Sequence, residues 1–165
     1  MSAPAGISVE EYLHTSYENP DREYRDGEII ERSMPDKFHA ATQMLLGAIF
    51  LALRSKFAVF VYSEFRMKVR PGLVRIPHVA IYWNDEPARV AETPPFIAIE
   101  ILSDDDRMTE VRAKLGEYRD WGVRYVWLVD PHARTMYIFD GKLQEVSSLA
   151  VSEFELEIKP ADIFA

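Results

Sequence analysis

Glu100 is the residue whose type conflicts most with its surroundings and therefore points to chemistry. Apolar side chains enclose it, from Phe96 to Ile99 on one side and Ile101 and Leu102 on the other. Such a run is typical of a strand that is buried on both faces of a sheet. Because an unpaired buried charge costs several kcal/mol, Glu100 must be protonated, ion-paired or bound to a metal ion.

Lys114 is placed to supply a positive partner for Glu100. It shares one predicted helical face with Leu115 and Tyr118, since residues three and four apart lie above one another in a helix. That helix follows the acidic run of residues 104–106, which suits the electropositive first turn of a helix, with a second metal site as the alternative. A buried ion pair and an active site at the end of a strand both remain consistent with this pattern.

Composition limits the chemistry that the chain can perform. The sequence has 165 residues, 48% hydrophobic and 28% charged, and we expect a single domain over residues 1–165. Cysteine is absent, which excludes disulfides and cysteine nucleophiles and leaves oxygen or imidazole to bind any metal. With neither a signal-like start nor a membrane-length apolar segment, we expect a cytoplasmic protein without a membrane partner. The net charge of −8 counts against a DNA substrate without excluding it, because nuclease sites are themselves acidic.

Hydrophobic periodicity predicts an α+β or α/β domain with a mixed β-sheet flanked by two main helices. We expect a core over residues 36–130, preceded by a helix and hairpin over 8–34 and followed by a β-hairpin extension over 131–165. One long helix begins after Asp36 and the other crosses between strands 96–102 and 125–129, which makes those two strands parallel. Residues 74–83 are predicted as one strand, in which Pro77 indicates an edge or a bulge.

Several short motifs, taken in order, resemble the Uma-type restriction endonucleases, a group within the PD-(D/E)XK nuclease superfamily. The resemblance extends from about Glu23 to Phe139 and depends on the order and spacing of its parts. These parts are E-Y-R-D-G-E from Glu23, His39 in the long helix, R-I-P-H-V-A-I from Arg75, I-E-I-L-S from Ile99, Lys114 with Tyr118, and G-V-R-Y-V-W-L-V-D-P from Gly122. The resemblance implies a restriction-endonuclease-like core, hydrolysis of DNA phosphodiester bonds, a homodimer with one site per strand, and no organic cofactor.

The resemblance also implies a set of site residues. In the superfamily, an aspartate after a proline and a glutamate on the next strand bind a divalent cation, usually Mg²⁺, and a nearby lysine acts on the attacking water. The motifs place Glu100 at the glutamate and His78 at the aspartate, while Lys114 replaces a lysine expected at Leu102. The predicted catalytic residues are therefore Glu100, Lys114 and His78, the predicted metal ligands are Glu100 and His78, and the auxiliary residues are His39, Glu23 and Tyr118.

Because His78 stands where the superfamily has an aspartate, the sequence leaves open whether the site is active. A neutral imidazole can bind a metal ion but favours Mn²⁺ or another softer ion over Mg²⁺. A protonated His78 would instead pair with Glu100 and occupy the place of the cation, leaving an inert site. The sequence therefore predicts an endonuclease whose activity is weakened or lost, with a catalytically inactive binding or assembly module of the same fold as the alternative.

Surface composition would separate these two functions. A basic strip beside the cleft would favour DNA, whereas an exposed apolar patch would favour a protein partner. The candidates for such a strip are Arg66, Lys68, Arg70, Arg107 and Arg112.

Overall fold

The structure is a computed structural model that describes residues 6–165. The first five residues of the predicted single domain lie outside this described part. In chain order, the helices and strands are α1 (Val9–Leu13), β1 (Glu23–Arg25), β2 (Glu28–Ile30), α2 (Lys37–Ala52), β3 (Val59–Tyr62), β4 (Met67–Arg70), β5 (Leu73–Arg75), β6 (Val79–Trp83), β7 (Ile97–Ile101), α3 (Met108–Trp121), β8 (Tyr125–Asp130), β9 (Thr135–Phe139), β10 (Leu143–Val146), β11 (Leu149–Val151), β12 (Leu156–Ile158) and α4 (Pro160–Ile163). Short 3₁₀ turns follow α2 and β11.

A six-stranded sheet with the order β10-β9-β8-β7-β6-β3 forms the centre of the fold. Strands β7 and β8 are parallel, with Ile97 opposite Tyr125, and the remaining neighbours are antiparallel. Helix α3 makes the crossover between the two parallel strands. The predicted mixed sheet and its predicted parallel pair are therefore confirmed.

The two long helices cover opposite faces of this sheet. Successive side chains of a strand point to opposite faces, and along β6 Ile81 packs with Leu46 of α2 whereas Ala80 packs with Leu115 of α3. The β11–β12 hairpin and α4 join the cluster on the α2 side. The side chains that point toward α3 therefore form a separate environment, and that is where the candidate site lies.

A second, four-stranded sheet with the order β2-β1-β5-β4 packs on the other side of α3. Met67, Val69 and Leu73 of this sheet share one apolar cluster with Leu115 and Tyr118 of α3. Helix α3 thus contacts both sheets, and side chains on β1 can reach it.

Polar caps fix where the helices begin and end. The Ser8 and Asp36 side chains accept hydrogen bonds from the amides of Glu11 and His39, as expected for N-cap residues. Helix α3 ends at Gly122, whose φ of 112° lies in the left-handed region that favours glycine. None of the helices within residues 6–165 has the length and apolar character needed to cross a membrane.

Two predicted boundaries are wrong. Residues 74–83 do not form one strand, because β5 and β6 belong to different sheets and the chain passes between them at Pro77, which has no amide proton for a ladder. The acidic run of residues 104–106 does not form the first turn of α3, which begins at Met108. Asp106 instead accepts a hydrogen bond of 2.8 Å from the Ser103 amide and closes a turn before the helix.

Candidate active site

A cleft of about 510 Å³ opens between α3, the end of β7 and the β1–β2 hairpin. Both basic and acidic side chains line it. Those with little exposure include Glu23, Arg75, His78, Glu100 and Lys114.

The Glu100 carboxylate is the centre of the site. It lies on β7 and, by strand alternation with Ile99 and Ile101, points toward α3. Its side chain is only 6% exposed. Oε1 is 3.0 Å from Nζ of Lys114 and accepts a hydrogen bond of 2.7 Å from the Tyr118 hydroxyl. Both partners come from one face of α3, because they are four residues apart, close to one helical turn.

Glu23 brings a second buried carboxylate to Lys114 from the other sheet. Its Oε1 is 2.7 Å from the Lys114 Nζ and accepts a 2.8 Å hydrogen bond from the Ile76 amide, and its Oε2 accepts one of 2.9 Å from Arg75. Arg75 also donates to both carboxylate oxygens of Glu117, at 2.7 and 3.0 Å. Opposite charges therefore alternate along a chain of contacts that joins the two sheets across α3.

The charged partners keep both buried carboxyls ionised. Burial alone would raise the pKa of Glu100, but attraction to Lys114 and His78 outweighs burial and holds that pKa far below its usual range. Burial would likewise raise the pKa of Glu23, and attraction to Lys114 and Arg75 lowers it instead. Burial and the neighbouring Glu100 raise the pKa of Tyr118, so this phenol stays protonated and donates to the carboxylate. The site therefore contains two fixed negative charges that share one ammonium group.

His78 faces the remaining oxygen of Glu100. Its Nδ1 lies 2.8 Å from Oε2 of Glu100 and 3.0 Å from the Ile101 amide nitrogen. A protonated Nδ1 would donate to Glu100, and an unprotonated one would accept from Ile101, but one nitrogen cannot do both at once. Two lone pairs would repel at 2.8 Å, so without a cation between the two atoms the proton lies on Nδ1 and points to Glu100.

His39 lies behind His78 and has an unused nitrogen. It is on the inner face of α2, only 3% exposed, and its ring meets that of His78 edge to face with centroids 4.4 Å apart. Burial and the neighbouring His78 lower the pKa of His39 to about 4, so its imidazole is neutral at pH 7. Within residues 6–165, its Nδ1 is the one fully buried side-chain nitrogen or oxygen without a hydrogen-bond partner.

Polar contacts hold the wall of the cleft opposite α3 in place. Arg32 lines the cleft and pairs with Glu64 at 2.5 Å, and the neighbouring Ser33 hydroxyl donates to Asp106 at 2.7 Å. Gln43 donates to Glu64 and to the His78 carbonyl, so the segment that follows β2 is linked to the site.

Of the six residues predicted from the sequence, Glu23, His78, Glu100 and Lys114 line the cleft. The other two contact these four from outside the lining: Tyr118 donates to Glu100, and His39, on α2, meets the His78 ring. Sequence reasoning missed Arg75, Glu117 and Arg32 as members of the site network. For Arg75 a signal existed, because a charged residue between Val74 and Ile76 is as anomalous as Glu100 in its strand. Glu117 and Arg32 lie in ordinary polar surroundings, and no pattern in the sequence distinguishes them.

The proposed basic strip does not form as one surface. Arg107 lines the cleft, whereas Arg112 does not, and Arg66, Lys68 and Arg70 pair with acidic residues outside its lining. The other positive side chains of the cleft are Arg25, Arg32, Arg75 and Lys114.

Asp104, from the acidic run considered for a second metal, joins an exposed cluster on the rim. Nε2 of His132 is 2.8 Å from Oδ2 of Asp36 and 3.7 Å from Oδ1 of Asp104. All three side chains are a third or more exposed, at 33%, 45% and 76%. Solvated ion pairing accounts for this cluster without a bound ion.

The central mixed sheet, its crossover helix and the acid–lysine pair at the end of β7 define a domain of the restriction-endonuclease-like class. The chain belongs to the Uma2 family, described as "Putative restriction endonuclease", whose model matches residues 9–165.

Comparison with solved structures gives the same fold. Five chains match, and one of them is described as "a putative nuclease belonging to DUF820" from Anabaena variabilis ATCC 29413. That chain is 23% identical, the match covers 96% of this chain and 97% of that one, and the TM-score is 0.82. No curated protein matches the sequence.

Proposed function

We propose that the protein is a divalent-metal-dependent endonuclease that hydrolyses phosphodiester bonds of DNA, with Glu100, His78 and Lys114 carrying the reaction. The observation that supports this best is the arrangement around Glu100. One oxygen of its carboxylate is 3.0 Å from the Lys114 ammonium, and the other is 2.8 Å from a nitrogen that can bind metal. The residues that would hold an ion and those that would act on water thus meet at one carboxylate.

Glu100 and His78 fit a shared cation. Neighbouring ligands of an octahedral ion with bonds of about 2.1 Å are about 3 Å apart, and Oε2 of Glu100 and Nδ1 of His78 are separated by 2.8 Å. A bound divalent ion would neutralise charge on the phosphate and lower the pKa of bound water. One carboxylate oxygen and one imidazole are a poorer set for Mg²⁺ than two carboxylates, so we propose Mn²⁺ or another softer ion as the better cofactor.

Lys114 is held in position to act on the attacking water. Its ammonium is 2.7 Å from Glu23 and 3.0 Å from Glu100, and it also donates a 3.4 Å hydrogen bond to the Ile76 carbonyl. The carboxylates of Glu23 and Glu100, which come from different sheets, therefore hold the Lys114 ammonium at the cleft wall. We propose that Glu23 and Tyr118 position Lys114 and Glu100, and that the buried neutral His39 positions the His78 ring.

The proposed substrate implies the partners. DNA would enter beside Arg25, Arg32 and Arg107, which line the same cleft. Cutting both strands needs two sites, so the proposal includes a homodimer.

A catalytically inactive module is the second candidate, and one contact favours it. If His78 is an imidazolium, its 2.8 Å contact with Glu100 is a buried ion pair that takes the place of the cation. The fold would then survive without hydrolysis and would serve binding or assembly.

The two candidates are separated by cleavage and metal binding measured on the same samples. Supercoiled plasmid is incubated with wild type and His78→Asp in Mg²⁺ or Mn²⁺, and each ion is titrated calorimetrically into each protein. Nicking by wild type with Mn²⁺, and with Mg²⁺ only after His78→Asp, is the result expected for the enzyme. Glu100→Gln in both backgrounds is the matched control and should abolish nicking.

Other outcomes decide against the enzyme. If His78→Asp cuts and wild type neither cuts nor binds metal, wild type is the inactive module. If neither protein cuts although both remain folded, the nuclease proposal is wrong.

A further inference from the structure

The outer face of α2 is apolar and, apart from the contact of Phe38 with the His132 ring, is left uncovered by residues 6–165. The exposed large hydrophobic residues of residues 6–165 are Met34, Phe38, Met44 and Leu51, which are 67%, 42%, 74% and 48% exposed. All four lie in α2 or in the few residues before it. Exposed apolar side chains concentrated on one element indicate an interaction surface.

The same helix has no charge over most of its length. No Asp, Glu, Lys or Arg occurs between Lys37 and Arg54. Helices on a protein surface ordinarily present charged residues to water, on the face opposite the core. In α2 the inner face is used by the core and the site, with His39, Leu46 and Phe50 buried. The outer face is therefore apolar for a reason other than core packing.

Within four residues of Met44, the outer face reads nearly the same in both directions, whereas seven residues away Lys37 lies before it and Leu51 after it. Small residues lie three and four positions away on each side, Ala41 and Ala40 before it and Gly47 and Ala48 after it. A Cβ atom added at Gly47 would meet nothing within 4 Å, so the space above the helix is open at this point. Two copies that pack across a twofold axis present the same patch to each other, so residue i of one contacts residue j of the other and the reverse. An axis at Met44 would therefore bring the small residues on its two sides together.

We propose that α2 pairs antiparallel with α2 of a second copy of this chain, with the twofold axis passing through Met44. Met44 then contacts Met44 of the second copy, and Ala40 faces Ala48 of the second copy. The small residues on either side let the two helices approach closely.

Charge at the helix ends favours the antiparallel arrangement. It places Asp36 of one copy within about one helical turn of Arg54 of the other, and this contact occurs twice because of the twofold axis. Each copy carries a net charge of −8, so contact through a face without charges avoids repulsion between the copies. The same net charge disfavours an anionic lipid surface, and a helix that lies on a membrane carries basic residues along its other face, whereas that face of α2 is in the core.

Cysteine cross-linking tests this geometry, because the chain contains no cysteine of its own. Met44→Cys places two thiols at the axis, where they face each other. Leu51→Cys is the matched control, since position 51 is also exposed on the outer face but is seven residues from the axis. Its two copies would lie about 21 Å apart along the helices. We expect oxidation or a short bismaleimide to link Met44→Cys into a dimer at least tenfold faster than Leu51→Cys.

Sedimentation velocity over a range of concentrations measures the association without cross-linking. Wild type should sediment as two chains, and Met44→Glu should sediment as one, because two carboxylates would face each other at the axis. Ala88→Glu adds the same charge to an exposed loop and should remain dimeric. Circular dichroism and the thermal midpoint of each variant show whether it is folded.

Three results would overturn the proposal: a wild type that stays monomeric at all concentrations, equal cross-linking of the two cysteine variants, or a monomer that floats with phosphatidylglycerol vesicles. This interface rests on the homodimer of the proposed function, but none of these measurements depends on cleavage. The dimer can therefore fail while the proposed hydrolysis stands, and the reverse.

Discussion

Two networks of charged side chains in this protein differ in how completely their hydrogen-bonding groups are satisfied. Arg66 donates to both oxygens of Asp21 at 2.7 and 2.8 Å and to the carbonyls of Tyr12 and Thr15, both at 2.9 Å. Its guanidinium also lies 4.3 Å from the centre of the Tyr12 ring. Each nitrogen of this guanidinium donates a hydrogen bond, and the network links α1 to the rest of the fold.

The network around Glu100 is left incomplete. It borders a cleft of about 510 Å³, and the Nδ1 of His78 faces two groups that it cannot satisfy at once. Behind it, the Nδ1 of His39 is buried without a partner. All guanidinium nitrogens of Arg66 are hydrogen-bonded, as expected for a structural contact. The Glu100 network borders a cleft, and the polar groups around its two imidazole rings are not all satisfied, as expected for a binding site. The following experiments test whether that difference separates stability from activity.

Lys114→Met should give the largest effect, and the effect should be on activity. A group that acts on the attacking water typically contributes a factor of about 10² to 10⁴, so we expect a loss in that range in the single-turnover nicking rate. Arg66→Ala, measured in the same assay as the control, should change the rate per folded molecule by less than about threefold. If Lys114→Met nicks at the wild-type rate, the Glu100 network is structural as well.

Arg66→Ala should lower stability without lowering the nicking rate per folded molecule. It removes hydrogen bonds to a charged group and leaves Asp21 without its partner, which we expect to cost about 3 kcal/mol. Urea unfolding followed by circular dichroism would measure this. Arg70→Ala removes an exposed pair with Asp26 and is the matched control, with an expected midpoint close to that of wild type.

Tyr118→Phe should give a smaller effect that appears in both measurements. It removes one hydrogen bond to the ionised Glu100 and keeps the ring in the core, so we expect a loss of about 1.5 kcal/mol in urea unfolding. The nicking rate should fall by less than about tenfold, because Lys114 and His78 still contact the carboxylate. Unchanged stability would show that the hydroxyl hydrogen bond contributes little.

The smallest expected effect is on the acid dependence of stability. Burial would raise the pKa of Asp21, but hydrogen bonds from Arg66 and Arg22 lower it, and the pKa of Glu23 is lowered by Lys114 and Arg75. A lowered folded-state pKa means that the unfolded chain binds more protons, so stability is complete above the unfolded value near 4 and is lost as the pH falls below it. We expect Asp21→Asn and Glu23→Gln each to flatten the fall in urea midpoint between pH 5 and about pH 3. A steeper fall in either variant would contradict this sign.

The sequence predicted the parts of the fold and site that depend on local periodicity. The strand around Glu100, the helix that returns Lys114 and Tyr118 to it, and the parallel β7–β8 pair form one strand–helix–strand unit. Spacing of four residues along a helix and a right-handed crossover are local rules, so they can be applied without coordinates.

The remaining features depend on contacts between distant parts of the chain. The approach of Glu23 to Lys114 requires β1 to pair with β5 in a second sheet, and the pairing of Arg75 with Glu117 requires the same. A proline within an apolar run has the same local pattern at a sheet edge, at a bulge and at a change of sheet, so the sequence does not show which of these occurs at Pro77. Helix periodicity predicts the long helix after Asp36, but which of its side chains stay exposed depends on how distant elements pack against it.

The exposed loop of residues 84–86 follows β6 and precedes β7. A cut there would leave Glu23, His39 and His78 on one polypeptide and Glu100, Lys114 and Tyr118 on the other. Neither fragment holds the full set of residues proposed to carry hydrolysis, and the halves meet through the antiparallel β6–β7 pairing. Fused to two interacting proteins, such fragments would form a conditional reporter of the proposed hydrolysis, with a signal only on reassembly.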